Sequence, residues 1–311
     1  MVLIRGVHNL RPRHRGCVAT IGNFDGLHLG HQKIVEQVIA EARQRNQKAA
    51  VMLFEPQPPE FFAPEKAPSR LMTLRDKLRA LRSMAVDQVL CARFDASFRS
   101  YSARGFVADL LVDGLGVSHL VVGDDFRFGH DRSGDFDYLV AAGGEFGFSV
   151  TDTPTCELNG ERVSSTRARR ALEHGDLAEA ERLLGRPYRI SGRVRHGDRI
   201  GRSIGVPTAN LEPGHPRMAV AGVYAVTVTG GGLHQAPAVA SVGPRPTVDG
   251  RENRLEVHVF DFEGDLYEQH LEVEFRHFIR PEEKYDGLDA LTAAIRHDIE
   301  QARTYFENGI R

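Results

Sequence analysis

Apolar residues in the first half of the chain come in short, nearly unbroken runs. CVATI (17–21), AAVMLF (49–54), DQVLCA (87–92) and SHLVVG (118–123) are each long enough for one strand. Between them the spacing changes to three and four. HQKIVEQVIAEARQR (31–45), LRDKLRALRSM (74–84) with Leu74, Leu78 and Leu81 on one side, and ARGFVADLLVDGLG (103–116) all read as helices. Unbroken apolar strands alternating with helices predict a parallel sheet covered on both faces. Ligands of such sheets bind beyond the carboxyl ends of the strands. After about residue 185 the pattern changes again. YRISGRV, GVYAVTVTG, APAVASVG, LEVHVFDF and HLEVEFRHF are short, rich in β-branched or aromatic residues, and several alternate with period two between glycine-rich turns. They predict an antiparallel barrel or sandwich. GLDALTAAIRHDIEQARTYF (287–306) predicts one closing helix, and ALEHGDLAEAERLLGRPY a short joining helix. The expected division is 1–185 and 186–311.

Composition narrows the class without choosing it. The 311 residues are 41% hydrophobic and 26% charged, enough apolar material for one large or two ordinary cores. A formal net charge of −2 gives no reason to expect nucleic acid or an anionic membrane as partner. Cys17, Cys91 and Cys156 are too few and too scattered for a disulfide framework or a zinc site, which suggests a reducing, cytoplasmic setting. The first sixteen residues lack the apolar core of a secretory signal, and no apolar run is long enough to span a bilayer.

The stretch GNFDGLHLGHQKIV (22–35) sits where the first predicted strand becomes a helix. Gly22 and Gly26 let the backbone approach a ligand closely. The free N–H groups and positive dipole end of a helix starting near Gly30 or His31 make an anion site, most simply for phosphate. His28 and His31 can donate to its oxygens and stabilise charge as a group is transferred. A structural histidine pair is the plainer alternative; a zinc site would need a third ligand nearby. Further on, Ser164, Ser165 and Thr166 precede a helical run and can cap it or bind phosphate, and Arg169 follows within one turn with a fork suited to phosphate oxygens.

HLGH resembles the HxGH signature of the nucleotidyltransferases that adenylylate small molecules with ATP. The whole of GNFDGLHLGHQKIV is similar to the form in the prokaryotic bifunctional riboflavin kinase/FMN adenylyltransferases, the FAD synthetases. LFEPQPPEFF (53–62), VVGDDFRFG (121–129) and RVSSTRARRAL (162–172) resemble that family's FxPxP, VGxDFxFG and SSTxxR segments. The resemblance implies a Rossmann-like first domain in which Gly22, Phe24, Asp25, Gly30, Ser164, Ser165 and Thr166 bind nucleotide. His28, His31 and Arg169 would act on the transferring group, and Asp125 would contact nucleotide or flavin.

The second half carries GRVRHGDRIGRSIGVPTANL (192–211). Its glycines, among them Gly201 and Gly205, suit backbone wrapping of phosphates, although the Walker pattern is absent. In an extended segment Thr208 and Asn210 point the same way and offer hard oxygens to Mg²⁺. The stretch closely resembles the riboflavin kinase signature GxxxGRxxGxPTANL, which adds Gly201, Gly205 and Pro207 to the expected nucleotide contacts. In LEVHVFDF, Leu255, Val257 and Val259 share one face, Glu256 and His258 the other. Resemblance to the family's ExH strand makes Glu256 the expected base and leaves His258 structural, and FIRPEEKYDGLDAL (278–291) implies Arg280 near the flavin. Ser241 stands where the family pattern has Asn, and LYEQ where it has LYG.

The resemblance covers about residues 15–305. It implies phosphorylation of riboflavin to FMN by the C-terminal barrel, then adenylylation of FMN to FAD by the N-terminal domain, with release of pyrophosphate. ATP is the co-substrate, ADP a product, Mg²⁺ the expected cofactor, and a monomer or weak homo-oligomer the expected state. The alternatives are a barrel that only binds flavin, or a flavin-binding regulator without catalysis.

Overall fold

The computed structural model describes residues 1–123, 125–196, 205–214, 217–247 and 250–309. They form two compact units, one of Met1–Pro68 with Leu74–Ser164, the other of Ser69–Thr73 with Ser165–Arg311.

The first unit is a six-stranded parallel sheet. Its strands are β1 (Val2–Arg5), β2 (Cys17–Ile21), β3 (Lys48–Glu55), β4 (Gln88–Arg93), β5 (Val117–Gly123) and β6 (Ser149–Thr153), in spatial order β1-β4-β3-β2-β5-β6. The four strands read from the sequence all form, and β2 occupies the predicted interval; all five of its residues are buried, as a strand covered on both faces requires. The edge strands β1 and β6 carry weaker patterns, β1 only three apolar residues before Arg5 and β6 mostly polar ones, and their pairing to β4 and β5 fixes them. The chain runs outward from β2 through β3 to β4, then returns to β5 on the other side of β2. That reversal leaves a crevice at the carboxyl ends of β2 and β5.

Helix α1 (Leu29–Gln44) buries Val35, Val38, Ile39 and Ala42, a stripe at spacings of three and four. Next come α2 (Pro58–Phe62) and α3 (Leu74–Ser83), then the single turns α4 (Ala96–Arg99) and α5 (Ala103–Gly105). The helix predicted over 103–116 continues from α5 as a π-helix, Phe106–Gly114. Helix α6 (Phe136–Phe146) and a two-residue hairpin, β7 (Glu157–Leu158) and β8 (Glu161–Arg162), complete the unit.

The second unit opens with α7 (Ser165–Glu173) and α8 (Leu177–Leu184). The one joining helix expected here is thus two, divided at Gly175, whose φ of +72° suits glycine. Because α8 packs on the barrel, the compact units divide at Ser164/Ser165, while the sequence pattern changes near 185. The barrel is closed and wholly antiparallel, running β10-β13-β12-β11-β14-β9. Its strands are β9 (Arg189–Arg195), β10 (Ala209–Glu212), β11 (Gly222–Gly230), β12 (Leu233–Thr247), β13 (Gly250–Val259) and β14 (His270–Arg280). Closure, which decides barrel over sandwich, removes sheet edges. Tyr224, Val226, Ala240, Leu255 and Val257 fill its interior. The outer face of β11 and β12 presents Val223, Ala225 and Val239, which α9 (Leu288–Glu307) covers with Ile299, Ala302, Tyr305 and Phe306.

A charged clamp fixes that helix. Arg280, at the end of β14, donates from Nε and Nη2 to Asp298 Oδ1 and Oδ2, both at 2.7 Å, and Asp298 is almost fully buried. Breaking a buried pair on one side strands the other charge. Asp298→Ala is therefore expected to destabilise the second unit by about 2–3 kcal/mol, since Arg280 keeps partial access to water. A urea titration checks it; an unchanged midpoint would mean that α9 is held by its apolar face alone.

Candidate functional sites

In the first unit, chain reversal beyond β2 is extreme. Phe24, Gly26 and Leu27 have φ of +46°, +77° and +42°. Such values are costly outside glycine and persist only where surrounding structure enforces them. Two side chains show how. Phe24 is buried and tilted against His31 with ring centroids 5.0 Å apart. Lys77 of α3, almost fully buried, donates from Nζ to the Asn23 carbonyl at 2.6 Å. Lys77 lies on the same helix face as Leu74, Leu78 and Leu81, so a lysine within an apolar stripe was the available signal, and the sequence reading passed over it.

His28 caps α1. Its Nδ1 accepts the backbone N–H of His31 at 3.3 Å, which leaves any proton of the neutral ring on Nε2. The two imidazoles stack, centroids 3.6 Å apart and 17° from parallel. Gly30 permits this: a Cβ there would lie 3.2 Å from His28 Cε1 and 3.4 Å from the Cys156 Cβ. Gly22 is similarly constrained, with a Cβ 3.1 Å from the Phe24 ring. Asp25 is buried in the same turn. The arrangement is a helix N-terminus with two stacked imidazoles at its mouth, suited to an anion.

Around it, Asp125 accepts from Arg162 Nη2 at 2.7 Å in an exposed ion pair. An aromatic panel stands at the carboxyl ends of β3 and β4. Phe94 lies 5.8 Å from Phe54, 5.5 Å from Phe61 and 5.7 Å from Phe62, and Phe62 is 56% exposed. Because the sheet is parallel, this panel is on the same end as the imidazole pair. Phe54, Phe61 and Phe62 of this panel all belong to the LFEPQPPEFF stretch.

Of the SSTxxR residues, Ser164 closes the first unit and Ser165, Thr166 and Arg169 lie in the second. Ser165 and Thr166 open α7, with Ser164 immediately before. Arg169 donates from Nε to the Ser69 carbonyl at 2.6 Å.

On the barrel, Gly201 lies outside the described residues. Gly205 has a φ of +78°, Pro207 is exposed, and β10 begins at Ala209. Ala209 and Leu211 turn inward, while Thr208 and Asn210 stay half-buried on the other face, as the alternation predicts. Register places Asn210 directly opposite Glu256, and Glu256 opposite Ser241. Three alternate residues of β13 then meet three groups of the Pro207–Asn210 segment. His258 Nδ1 is 2.8 Å from the Pro207 carbonyl, Thr208 Oγ1 donates to Glu256 Oε2 at 3.3 Å, and Arg254 Nε donates to Asn210 Oδ1 at 2.5 Å. Arg254 Nε also lies 2.7 Å from Glu256 Oε1. Thus His258, expected to be structural, touches the site segment, and Arg254, which shares its face, is an additional member.

Ser241 Oγ donates to Glu282 Oε1 at 3.0 Å. The Glu282 carboxyl lies against Gly243, and this loss of water pushes its pKa up, with the Glu256 charge acting in the same direction. Arg280, expected at the flavin, has its Nε and Nη2 on Asp298 and its Nη1 on the Pro281 carbonyl, and through Glu283 and the Tyr285 ring it braces the segment after β14.

Gly30→Ala tests the imidazole stack. Alanine favours a helix by about 1 kcal/mol over glycine, so the chain should stay folded. The added methyl should drive the His28 ring off His31 and move both histidines' side-chain ¹H–¹⁵N NMR signals. Unmoved signals would show that the stack does not depend on this glycine.

Comparison with known proteins finds relatives of both halves of the chain. A family model described as FAD synthetase matches residues 10–167, and one described as riboflavin kinase matches residues 184–306. The bifunctional riboflavin kinase/FMN adenylyltransferase of Pseudomonas fluorescens is 52% identical over 305 residues, 97% of each chain. The protein of that name from Escherichia coli K12 is 52% identical over 307 residues, 98% of each, and that of Haemophilus influenzae 46% over 308 residues, 99% of this chain and all of the relative. A crystal structure titled as a macrolide-efflux protein from Streptococcus pneumoniae superposes with a TM-score of 0.81 at 31% identity, covering 97% of this chain and 99% of that one. No helix among the described residues here is long and apolar enough to cross a membrane. Two family models in the order of the two folded units, and full-length relatives at about half identity, establish that this chain belongs to the bifunctional riboflavin kinase/FMN adenylyltransferase family.

Proposed function

We propose that the two activities of the family divide over this chain at about residue 185, with riboflavin phosphorylated on the barrel and FMN adenylylated at the head of α1. The observation that carries the reading is the register of the barrel, which faces Asn210 with Glu256 and brings the Thr208 hydroxyl onto the Glu256 carboxylate. Glu256 takes the proton of the riboflavin 5′-hydroxyl as that oxygen attacks the γ-phosphorus of ATP and ADP leaves. Gly201, Gly205 and Pro207 line the nucleotide. Thr208 and Asn210 would hold Mg²⁺; the donor set is hard oxygen, and Asn210 Oδ1 and Glu256 already share a cationic guanidinium. A magnesium ion held there would supply neutralisation of the nucleotide's phosphate charge.

In the first unit, the FMN phosphate attacks the α-phosphorus of ATP and pyrophosphate leaves. The nucleophile is already ionised at neutral pH, so the protein's task is to position groups and neutralise charge. His28 and His31 donate to the transferring phosphate at the α1 N-terminus, and Gly22, Phe24, Asp25 and Gly30 shape its cradle; the family resemblance is what assigns Ser164, Ser165, Thr166 and Arg169 to nucleotide. The aromatic panel around Phe94 offers an apolar, planar surface for the flavin ring, with Asp125 a polar contact. Arg280 acts on flavin through the 281–287 segment that it braces. Cys17, Cys91 and Cys156 are all buried thiols, which supports a reducing compartment, the cytoplasm.

A time course with riboflavin, Mg²⁺ and ATP, with flavins separated by chromatography, tests this. His28→Ala and His31→Ala should each lower FAD formation by about 100-fold or more while FMN accumulates. Glu256→Ala should block FMN formation while added FMN still becomes FAD. Loss of both reactions in a folded variant would show that the sites are not separate, and an inert barrel in the unaltered chain would make it a flavin-binding module.

A further inference from the structure

Arg254 is the residue of the barrel site that neither its expected chemistry nor the sequence pattern assigns. It stands on β13 two residues before Glu256, half-buried, and one N–H, Nε, meets two oxygens. These are Asn210 Oδ1 at 2.5 Å and Glu256 Oε1 at 2.7 Å. The other Glu256 oxygen accepts from Thr208. The guanidinium Nε therefore already holds two of the oxygens, Asn210 Oδ1 and Glu256 Oε1, that the kinase reading gives to a divalent cation and a general base.

We propose that Arg254 is a resident cation of the kinase site, holding Asn210 and Glu256 together until a divalent cation entering with nucleotide displaces it. The inference rests on the kinase reading of this site. Its physical basis is exclusion. A divalent ion coordinated by Asn210 Oδ1 sits about 2.1 Å from that oxygen. The guanidinium nitrogen is 2.5 Å from the same atom, so both cations cannot keep these positions without strong repulsion. Displacement also frees Glu256 Oε1 from its ion pair, leaving that carboxylate able to accept a proton. Arg254 would thus make the base available only when metal and nucleotide are in place. It is a positioning residue: it acts through Asn210 and Glu256.

The test uses the full chain, with Mn²⁺ as the metal and free Mn²⁺ read by electron paramagnetic resonance, with and without ADP. Asn210→Ala identifies which bound Mn²⁺ belongs to the barrel. Removing a competing cation should tighten this Mn²⁺ about fivefold or more in Arg254→Gln. The Mg²⁺ concentration that half-saturates FMN formation should fall by a similar factor. Arg254→Met, which keeps the stem packing, should do the same, and Arg254→Lys, which keeps the charge, should stay near the unaltered protein. FAD formation from added FMN reports that each variant is folded. Unchanged or weaker Mn²⁺ binding in Arg254→Gln and Arg254→Met would overturn the proposal. If Glu256→Ala still made FMN, the kinase reading itself would fail; if it blocked FMN while the Arg254 variants left Mn²⁺ affinity unaltered, only this inference would fall.

Discussion

Both candidate sites depend on backbone register. In the barrel every strand is bonded on both sides, so each has one alignment that keeps its aliphatic residues inward. Leu255 and Val257 must face Leu211 and Ala209 inside the barrel. Once they do, Glu256 is forced outward, opposite Asn210 on one side and Ser241 on the other. A slip of one residue would bury the carboxylate among aliphatics and expose two large apolar side chains. The burial of Leu255 and Val257 thus fixes the position of a charge that contributes nothing to that burial. In the first unit the equivalent constraint is parallel alignment, which delivers the ends of β2, β3, β4 and β5 to one side of the sheet.

The two sites handle charge differently. At the head of α1 the resources are backbone N–H groups, a helix dipole and two imidazoles in stacking contact. Two cationic rings would repel at that separation, so the stack fits neutral or singly protonated imidazoles better than two charged ones. The positive φ values of Phe24 and Leu27 are the cost of turning the chain from β2 into α1 within a few residues. The buried Phe24 ring and the Lys77 ammonium on the Asn23 carbonyl offset it. The barrel site instead carries full charges, with Arg254 and Glu256 paired beside the Asn210 and Thr208 oxygens. A site of the first kind is ready to receive an anion. A site of the second kind already has its carboxylate charge balanced from within.

Buried charge elsewhere is local reinforcement. The Arg280–Asp298 fork joins the end of β14 to α9, and Arg189 joins β9 to Glu272 and Glu274 on β14. Each links two elements that apolar packing alone would leave free to slide, because dispersion contacts are not directional and a bidentate ion pair is. The Ser241–Glu282 bond does the same at the barrel site, tying β12 to the segment after β14, at the position where the family pattern has Asn.

The sequence by itself determined the central strands, the two folds, and the motif positions GNFDGLHLGH, SSTRAR, PTAN and LEVH. These depend on local quantities, namely runs of apolar residues, periods of two and of three to four, and glycines where the backbone reverses. It also placed Thr208 and Asn210 on one side of an extended segment, since that follows from strand geometry alone. It did not determine the edge strands β1 and β6, the division of 165–184 into two helices, or the closure of the barrel, all of which depend on pairing and packing between distant segments. For the same reason it gave no partner to Lys77, Arg254 or Arg280. A charged residue's partner is chosen by register and packing across tens of residues, and only the tertiary structure brings Asn23 to Lys77, Asn210 to Arg254 and Asp298 to Arg280.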